Sequence, residues 1–240
     1  MLPIIRHSLL IAAALALVNC GSNATATGST PQELSRLRDF DKIALAGPDH
    51  VVVRRGPAFS VTATGDARAL ARLELKVRDK TLEIGRKRDW RSIMPGRDGG
   101  ATITVTLPAL HEVALAGSGN MQVDELTGKS VEASVTGSGN LVIARVQADS
   151  VELASSGSGT LTASGLAREA DLSVAGSGGI AAAGLATRAA ELSLLGSGDA
   201  QLRVDGPAEV SIVGSGNATI SGKARCTISR VGSGDVRCGA

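Results

Sequence analysis

Val113-Ala114-Leu115-Ala116-Gly117-Ser118-Gly119-Asn120-Met121-Gln122-Val123 alternates aliphatic residues with small or polar ones on both sides of a Gly-Ser-Gly triplet, and this arrangement returns along the chain. Seven triplets begin at Gly117, Gly137, Gly157, Gly176, Gly196, Gly214 and Gly232, at steps of 20, 20, 19, 20, 18 and 18 residues. A period of this size marks one supersecondary unit stacked on copies of itself, so the fold grows along one axis. With the first Gly as position zero, the residues two and four before it are mostly aliphatic: Leu115 and Val113, Val135 and Ala133, Val174 and Leu172, Leu194 and Leu192, Ile212 and Val210. Offsets four and six after it are apolar again, as in Met121 and Val123 or Leu141 and Ile143. Alternation of this kind has the period of a half-buried strand. Each repeat therefore reads as strand, turn, strand and a second connection with an apolar corner residue, such as Leu126, Val146, Leu166 or Leu185.

The expected fold is all-β, a parallel β-helix-like solenoid of coils about 18–20 residues long. A meander of hairpins with triplets at their tips is the alternative. Recurrence of Asn120, Asn140, Asp199, Asn217 and Asp235 just after the triplet favours stacked coils. Such residues tolerate left-handed geometry beside glycine and can hydrogen-bond from coil to coil. Ile43-Ala44-Leu45-Ala46-Gly47-Pro48-Asp49-His50 mirrors residues 113–120 in degraded form, and Val61 to Asp66 reads as another worn copy. Arg68 to Leu73 reads as one helical turn; Leu73 to Val77, Thr81 to Ile84 and Ala101 to Leu107 read as strands. One domain is expected over residues 34–240, with irregular coils and a strand-rich cap over 34–110 and regular repeats over 111–240. The cap would protect an end of the array from pairing with another chain.

The 240 residues include two Phe, one Trp and no Tyr, so the core must be built from small aliphatic side chains. A net charge of +2, with 25 basic and 23 acidic residues, supplies no field for nucleic acid, and base-stacking aromatics are nearly absent. Residues 1–20 read as an export signal: Arg6 and His7 precede an apolar run from Ser8 to Val18, too short to span a bilayer. Leu17-Val18-Asn19-Cys20 resembles a bacterial lipobox with Cys20 lipidated, although Asn19 departs from the Gly or Ala of that pattern. Ordinary cleavage after Ala24-Thr25-Ala26 is the alternative. Residues 21–33 then form a polar tether, and the protein is expected in the cell envelope, as an outer-membrane lipoprotein or in the periplasm.

The order of parts resembles one family closely: an export signal, strands around Ile43 to Arg54, Thr81-Leu82-Glu83-Ile84, Ile103-Thr104-Val105-Thr106-Leu107-Pro108, Leu110-His111-Glu112-Val113 and serial Gly-Ser-Gly coils. It is similar to the bacterial "putative autotransporter adhesin head GIN domain", over roughly residues 39–238. The resemblance implies a β-helix-like domain of exported, often lipid-anchored envelope proteins, with an adhesion or scaffold role. It brings no catalytic residues and no cofactor.

Five residues before six triplets stand Glu112, Glu132, Glu152, Asp171, Glu191 and Glu209, which in a coil stack form an acidic stripe. Neighbours about 4.8 Å apart repel by about 0.9 kcal/mol in water-like dielectric. Divalent cations could answer this, but nearby bases, Lys129, Arg168 and Arg188, are the preferred compensation, since no calcium-loop spacing accompanies the acids. A carbohydrate- or cation-binding module is thus the second reading of function; a polysaccharide-acting enzyme is a distant third, since uniformly spaced acids make no cleft. His111 reads as packed or end-capping. Arg86-Lys87-Arg88-Asp89-Trp90-Arg91 is an irregular basic segment with the sole Trp, able to meet an anionic envelope polymer, lipid or protein, although a solvated loop is its plainer reading. Cys226 and Cys238, six before and six after Gly232, read as a structural disulfide clamping the last coil, where Arg230 replaces an inward aliphatic.

Overall fold

The computed structural model describes residues 25–27, 34–87 and 100–239. In chain order its strands are β1 (Thr25–Thr27), β2 (Lys42–Ala46), β3 (His50–Arg55), β4 (Ser60–Gly65), β5 (Leu73–Arg78), β6 (Thr81–Arg86), β7 (Ala101–Leu107), β8 (Glu112–Gly117), β9 (Asn120–Gly137), β10 (Asn140–Gly157), β11 (Thr160–Leu166), β12 (Glu169–Gly176), β13 (Gly179–Thr187), β14 (Ala189–Gly196), β15 (Asp199–Val204), β16 (Pro207–Gly214), β17 (Ala218–Ser221), β18 (Arg225–Gly232) and β19 (Val236–Cys238). A short helix, α1 (Ala67–Arg72), precedes β5 and is N-capped by Asp66, which accepts from the Arg68 and Ala69 amides.

From β8 onward each strand pairs in parallel with its equivalent one period later: β8 with β9, β9 with β10, β10 with β11 and β12, and so on to β18 and β19. This is a β-solenoid, and the parallel ladders exclude the hairpin meander. Inward columns are as the alternation requires; Val113, Ala133, Leu153, Leu172, Leu192 and Val210 follow one another down the stack and are all buried. Small aliphatics suffice because each coil covers the next, so no side chain must span a wide core.

The triplets make the stack tight. Ser138 and Gly139 both donate backbone N–H to the Gly117 carbonyl, at 2.9 and 3.0 Å, and Ser158 and Gly159 repeat this on Gly137. Gly137 needs its φ of +119°, and a Cβ on Gly139 would stand 2.3 Å from the Gly119 carbonyl. The Asn and Asp that follow the triplets do not adopt left-handed geometry, since Asp39, Asp79 and Lys80 are the non-glycine residues at positive φ among the described residues. They act by coil-to-coil bonding instead: Asn140 Nδ2 donates to Asn120 Oδ1 at 3.1 Å, and the Asn217 backbone and side chain both donate to Asp199 Oδ1 at 3.0 Å.

The cap is built out of sequence order. β2 lies between β6 and β8, and β3 between β7 and β9, all parallel, so residues 43–49 form a true coil under the first regular one. β5 closes over β6 and β4 over β7 in antiparallel pairs, and Leu34, Leu37 and Phe40 complete the buried end. Val61 to Asp66, read as a worn coil, falls instead on β4 and the N-cap residue of α1, and β4 runs against the coil direction. Thr25–Thr27, within the stretch read as a polar tether, pairs antiparallel with β5.

Candidate functional site

Strand pairing places the six acids in one row: Glu112 beside Glu132, then Glu152, Asp171, Glu191 and Glu209. The row starts at Lys42, which is ion-paired with Glu112, and gives way to Thr227 in the last coil. The Glu132 carboxyl is held above the usual carboxylate range, first by partial burial, then by the charges of Glu112 and Glu152, with Lys42 opposing. The Lys42 ammonium is raised chiefly by its hydrogen bond to Glu112. The compensating bases expected within each coil do not engage the row: Arg168 turns to Asp149, Nε to Oδ1 at 3.1 Å, and neither Lys129 nor Arg188 forms an ion pair among the described residues. Like charges at coil spacing thus stand largely uncompensated. Among those residues no group of three or more His, Cys, Asp or Glu could hold a metal ion.

Two columns run beside the acids on the same face. The nearer is Ala114, Ser134, Ala154, Ser173, Ser193 and Ser211, so the row borders a shelf of small side chains. The farther changes character along the axis, from Thr136, Ser156 and Ala175 to Leu195, Val213 and Val231, the last three exposed at 59, 47 and 66%. Sequence reading missed this aliphatic run, although the residue immediately before each triplet carries it.

Of the basic segment, Arg88, Trp90 and Arg91 lie outside the described residues, as does Cys20. Lys87 joins the cap through its N–H to the Arg72 carbonyl. Arg86 is not a solvated base: Nε and Nη2 grip Asp49 Oδ2 and Oδ1 at 2.9 and 2.6 Å, and Asp49, fully buried, also accepts the Ala101 amide. Asp49 fills the third place of the degraded triplet and ties the first coil to both ends of the 87–100 connection. His111 is half-exposed, with Nδ1 3.8 Å from Asp41 Oδ2, and its ring lies against the bare Cα of Gly128.

Leu166 departs from its expected corner position. Val146 pairs with Gly165, which pairs with Leu185, so the coil with the 19-residue step puts glycine at the corner and turns Leu166 outward, 65% exposed. A Cβ on Gly165 would lie 2.2 Å from the Val146 carbonyl. Leu166, Ala148, Ala167, Arg168, Ala186 and Arg188 line a shallow groove of about 480 Å³ at this corner.

Residues 39–224 match the family described as "Putative auto-transporter adhesin, head GIN domain". The chain belongs to this family. Three solved structures share the fold of this GIN domain. A putative adhesin from Bacteroides fragilis NCTC 9343 superposes with a TM-score of 0.74 at 21% identity, over 90% of this chain and 95% of that one. A putative lipid binding protein from Parabacteroides distasonis ATCC 8503 gives 0.65 at 22%, over 91 and 97%. A putative adhesin from Parabacteroides merdae ATCC 43184 gives 0.60 at 23%, over 90 and 95%. No curated protein matches the chain in sequence. At the end of the GIN domain remote from its cap, Cys226 and Cys238 are disulfide-bonded with Cα atoms 6.3 Å apart, joining β18 to β19. No described helix is long and apolar enough to cross a membrane.

Proposed function

We propose that this GIN domain is a non-catalytic adhesion module of the bacterial cell envelope whose contact surface is the face carrying the carboxylate row. The observation that supports this is the row itself: six acids locked in register beside a shelf of Ala and Ser. Evenly spaced charges on an accessible face complement an extended partner with repeating positive groups, or an anionic polymer bridged by divalent cations. Hydrolytic chemistry needs two acids set apart from the rest by their surroundings, and a uniform ladder does not provide that pairing. Replacing Glu132, Asp171 and Glu209 together by their amides should abolish binding of the purified domain to native envelope fractions. Undiminished binding would refute the assignment. Calcium dependence of that binding, or a thermal shift in millimolar calcium, separates the cation-bridged form from the direct one.

Lipid contact is the second reading. One fold neighbour is described as a lipid binding protein, and the corner groove joins exposed Leu166 to Arg168 and Arg188. Leu166→Ser should reduce association with anionic vesicles in that case, and an unchanged affinity would discard it. For residues 1–20 we propose an export signal, with Cys20 the lipidated residue. Pairing of Thr25 and Ala26 with Lys76 and Leu75 supports cleavage at Cys20, because cleavage after Ala26 would remove most of β1. Fatty-acid labelling of the intact protein that survives Cys20→Ser would overturn this.

A further inference from the structure

The two ends of the solenoid are finished differently. At the cap, β5 and β4 cover the outer edges of β6 and β7, and β1 covers β5. At the other end no strand lies beyond β18 or β19 among the described residues. Arg225 N–H donates to the Gly206 carbonyl at 2.8 Å. In a parallel ladder alternate residues serve alternate neighbours, so Arg225, Thr227 and Ser229 bond inward to β16, while the amides and carbonyls of Cys226, Ile228 and Arg230 face the open side. That is an eight-residue edge with unused bonding groups.

Its side chains describe what fits there. Ile228 lies under no further coil and is 47% exposed, and the Cys226–Cys238 bridge lies beside it, so the inner side of an added strand must be aliphatic. The last coil has left the acidic pattern: Thr227 stands where the other coils carry an acid, and from Lys223 to Cys238 the bases Lys223, Arg225, Arg230 and Arg237 outnumber the one acid, Asp235, while Asp205 of the preceding coil accepts the Lys223 backbone N–H at 3.0 Å. Asp235 lies about 4 Å from both Arg230 and Arg237, whereas Lys223 and Arg225 form no ion pair among the described residues. The charge on the outer side of an added strand must therefore be negative.

We propose that the outer edge of β18 docks an extended segment of a partner protein in which acids alternate with aliphatic residues, adding as one more strand. Main-chain bonding to Cys226, Ile228 and Arg230 supplies the affinity, and Arg225 with Lys223 selects acids. This site lies at the end of the stack, where the carboxylate row has given way to Thr227, and is of opposite charge to the row.

The test uses a capped octapeptide alternating Val and Glu, its Lys-for-Glu counterpart, and hydrogen exchange on the full chain. The acidic peptide is expected to slow exchange of the Cys226, Ile228 and Arg230 amides. Arg225→Glu should weaken binding at least tenfold, and Ile228→Pro, which removes one outward N–H, should abolish it. Arg225→Glu, a surface change, keeps the test valid if the proline variant frays the last coil. The Lys peptide should leave these amides unprotected. The proposal is overturned if the acidic peptide leaves the three amides unprotected, if both peptides protect them equally, or if they become protected with rising protein concentration and no peptide, which would make a second copy the occupant.

Discussion

Replacing Glu132 by Gln removes the middle charge of a like-charged trio and should stabilise the domain at neutral pH. Coils are stacked at about 4.8 Å, so Glu112 and Glu152 each repel Glu132 by about 0.9 kcal/mol in water-like dielectric. At physiological salt, with a Debye length of about 8 Å, each repulsion falls to roughly 0.5 kcal/mol. Lys42, bonded to Glu112, offsets part of this. The net gain is roughly 0.5–1 kcal/mol, or about 1–4 °C in melting temperature for a domain of this size. Glu209 has one acidic neighbour, Glu191, because Thr227 stands on its other side, and Glu209→Gln should gain about half as much. The native carboxyl of Glu132 binds its proton more tightly than the unfolded one. Its contribution to stability is therefore most favourable in acid and falls as pH rises from the ordinary value through the raised one. Variant and wild type should converge in stability in acid, below the ordinary carboxylate range, and diverge as the pH rises through that range to neutrality. Urea unfolding at about pH 3.5 and pH 7, in low salt and in about 1 M NaCl, reads all of this. A Glu132 variant no more stable than wild type at neutral pH, a gain that high salt leaves intact, or a larger gain at Glu209 would refute the reasoning.

Gly139→Ala forces a Cβ to 2.3 Å from the Gly119 carbonyl, which also accepts the Asn140 amide. A loss of about 2–4 kcal/mol in urea unfolding is expected from overpacking and a weakened hydrogen bond, whereas Gly100→Ala, with open space around it, should change stability little. Replacing both Cys226 and Cys238 by Ser opens a loop of sequence separation 12 and should cost about 3 kcal/mol. Faster amide exchange confined to β18 and β19 is its signature; uniform acceleration through the stack would contradict it. Asp49→Asn removes the buried carboxylate charge that Arg86 grips and that accepts the Ala101 amide, and should cost about 3 kcal/mol, measured as a lowered urea midpoint.

The array was legible because two local periods coincide in it. Strand alternation of two and a fixed triplet offset assign a face to nearly every residue from Val113 to Ile220, so the carboxylate row follows from the residue order alone. Leu166 escaped because one missing residue between Ala163 and Gly165 shifts the register by one, which moves a side chain from the core to the surface. Asp49 escaped because its meaning is not local: it stands in a worn triplet, while its partners are 37 and 52 residues away. The cap was legible as strands and not as topology. The likeness of residues 43–50 to 113–120 points to the pairing with 112–116, but nothing near Lys42–Ala46 foretells that residues 81–84 will lie on its other side.

The pairing of β1 with β5 also gives the molecule a direction. With Cys20 lipidated, four residues separate the anchor from Thr25, and the five steps between them reach at most about 18 Å when fully extended. The capped end is then moored close to the bilayer. Each further coil carries the chain about one strand spacing along the stack, so the unpaired edge of β18 lies at the opposite end of the stack from such an anchor.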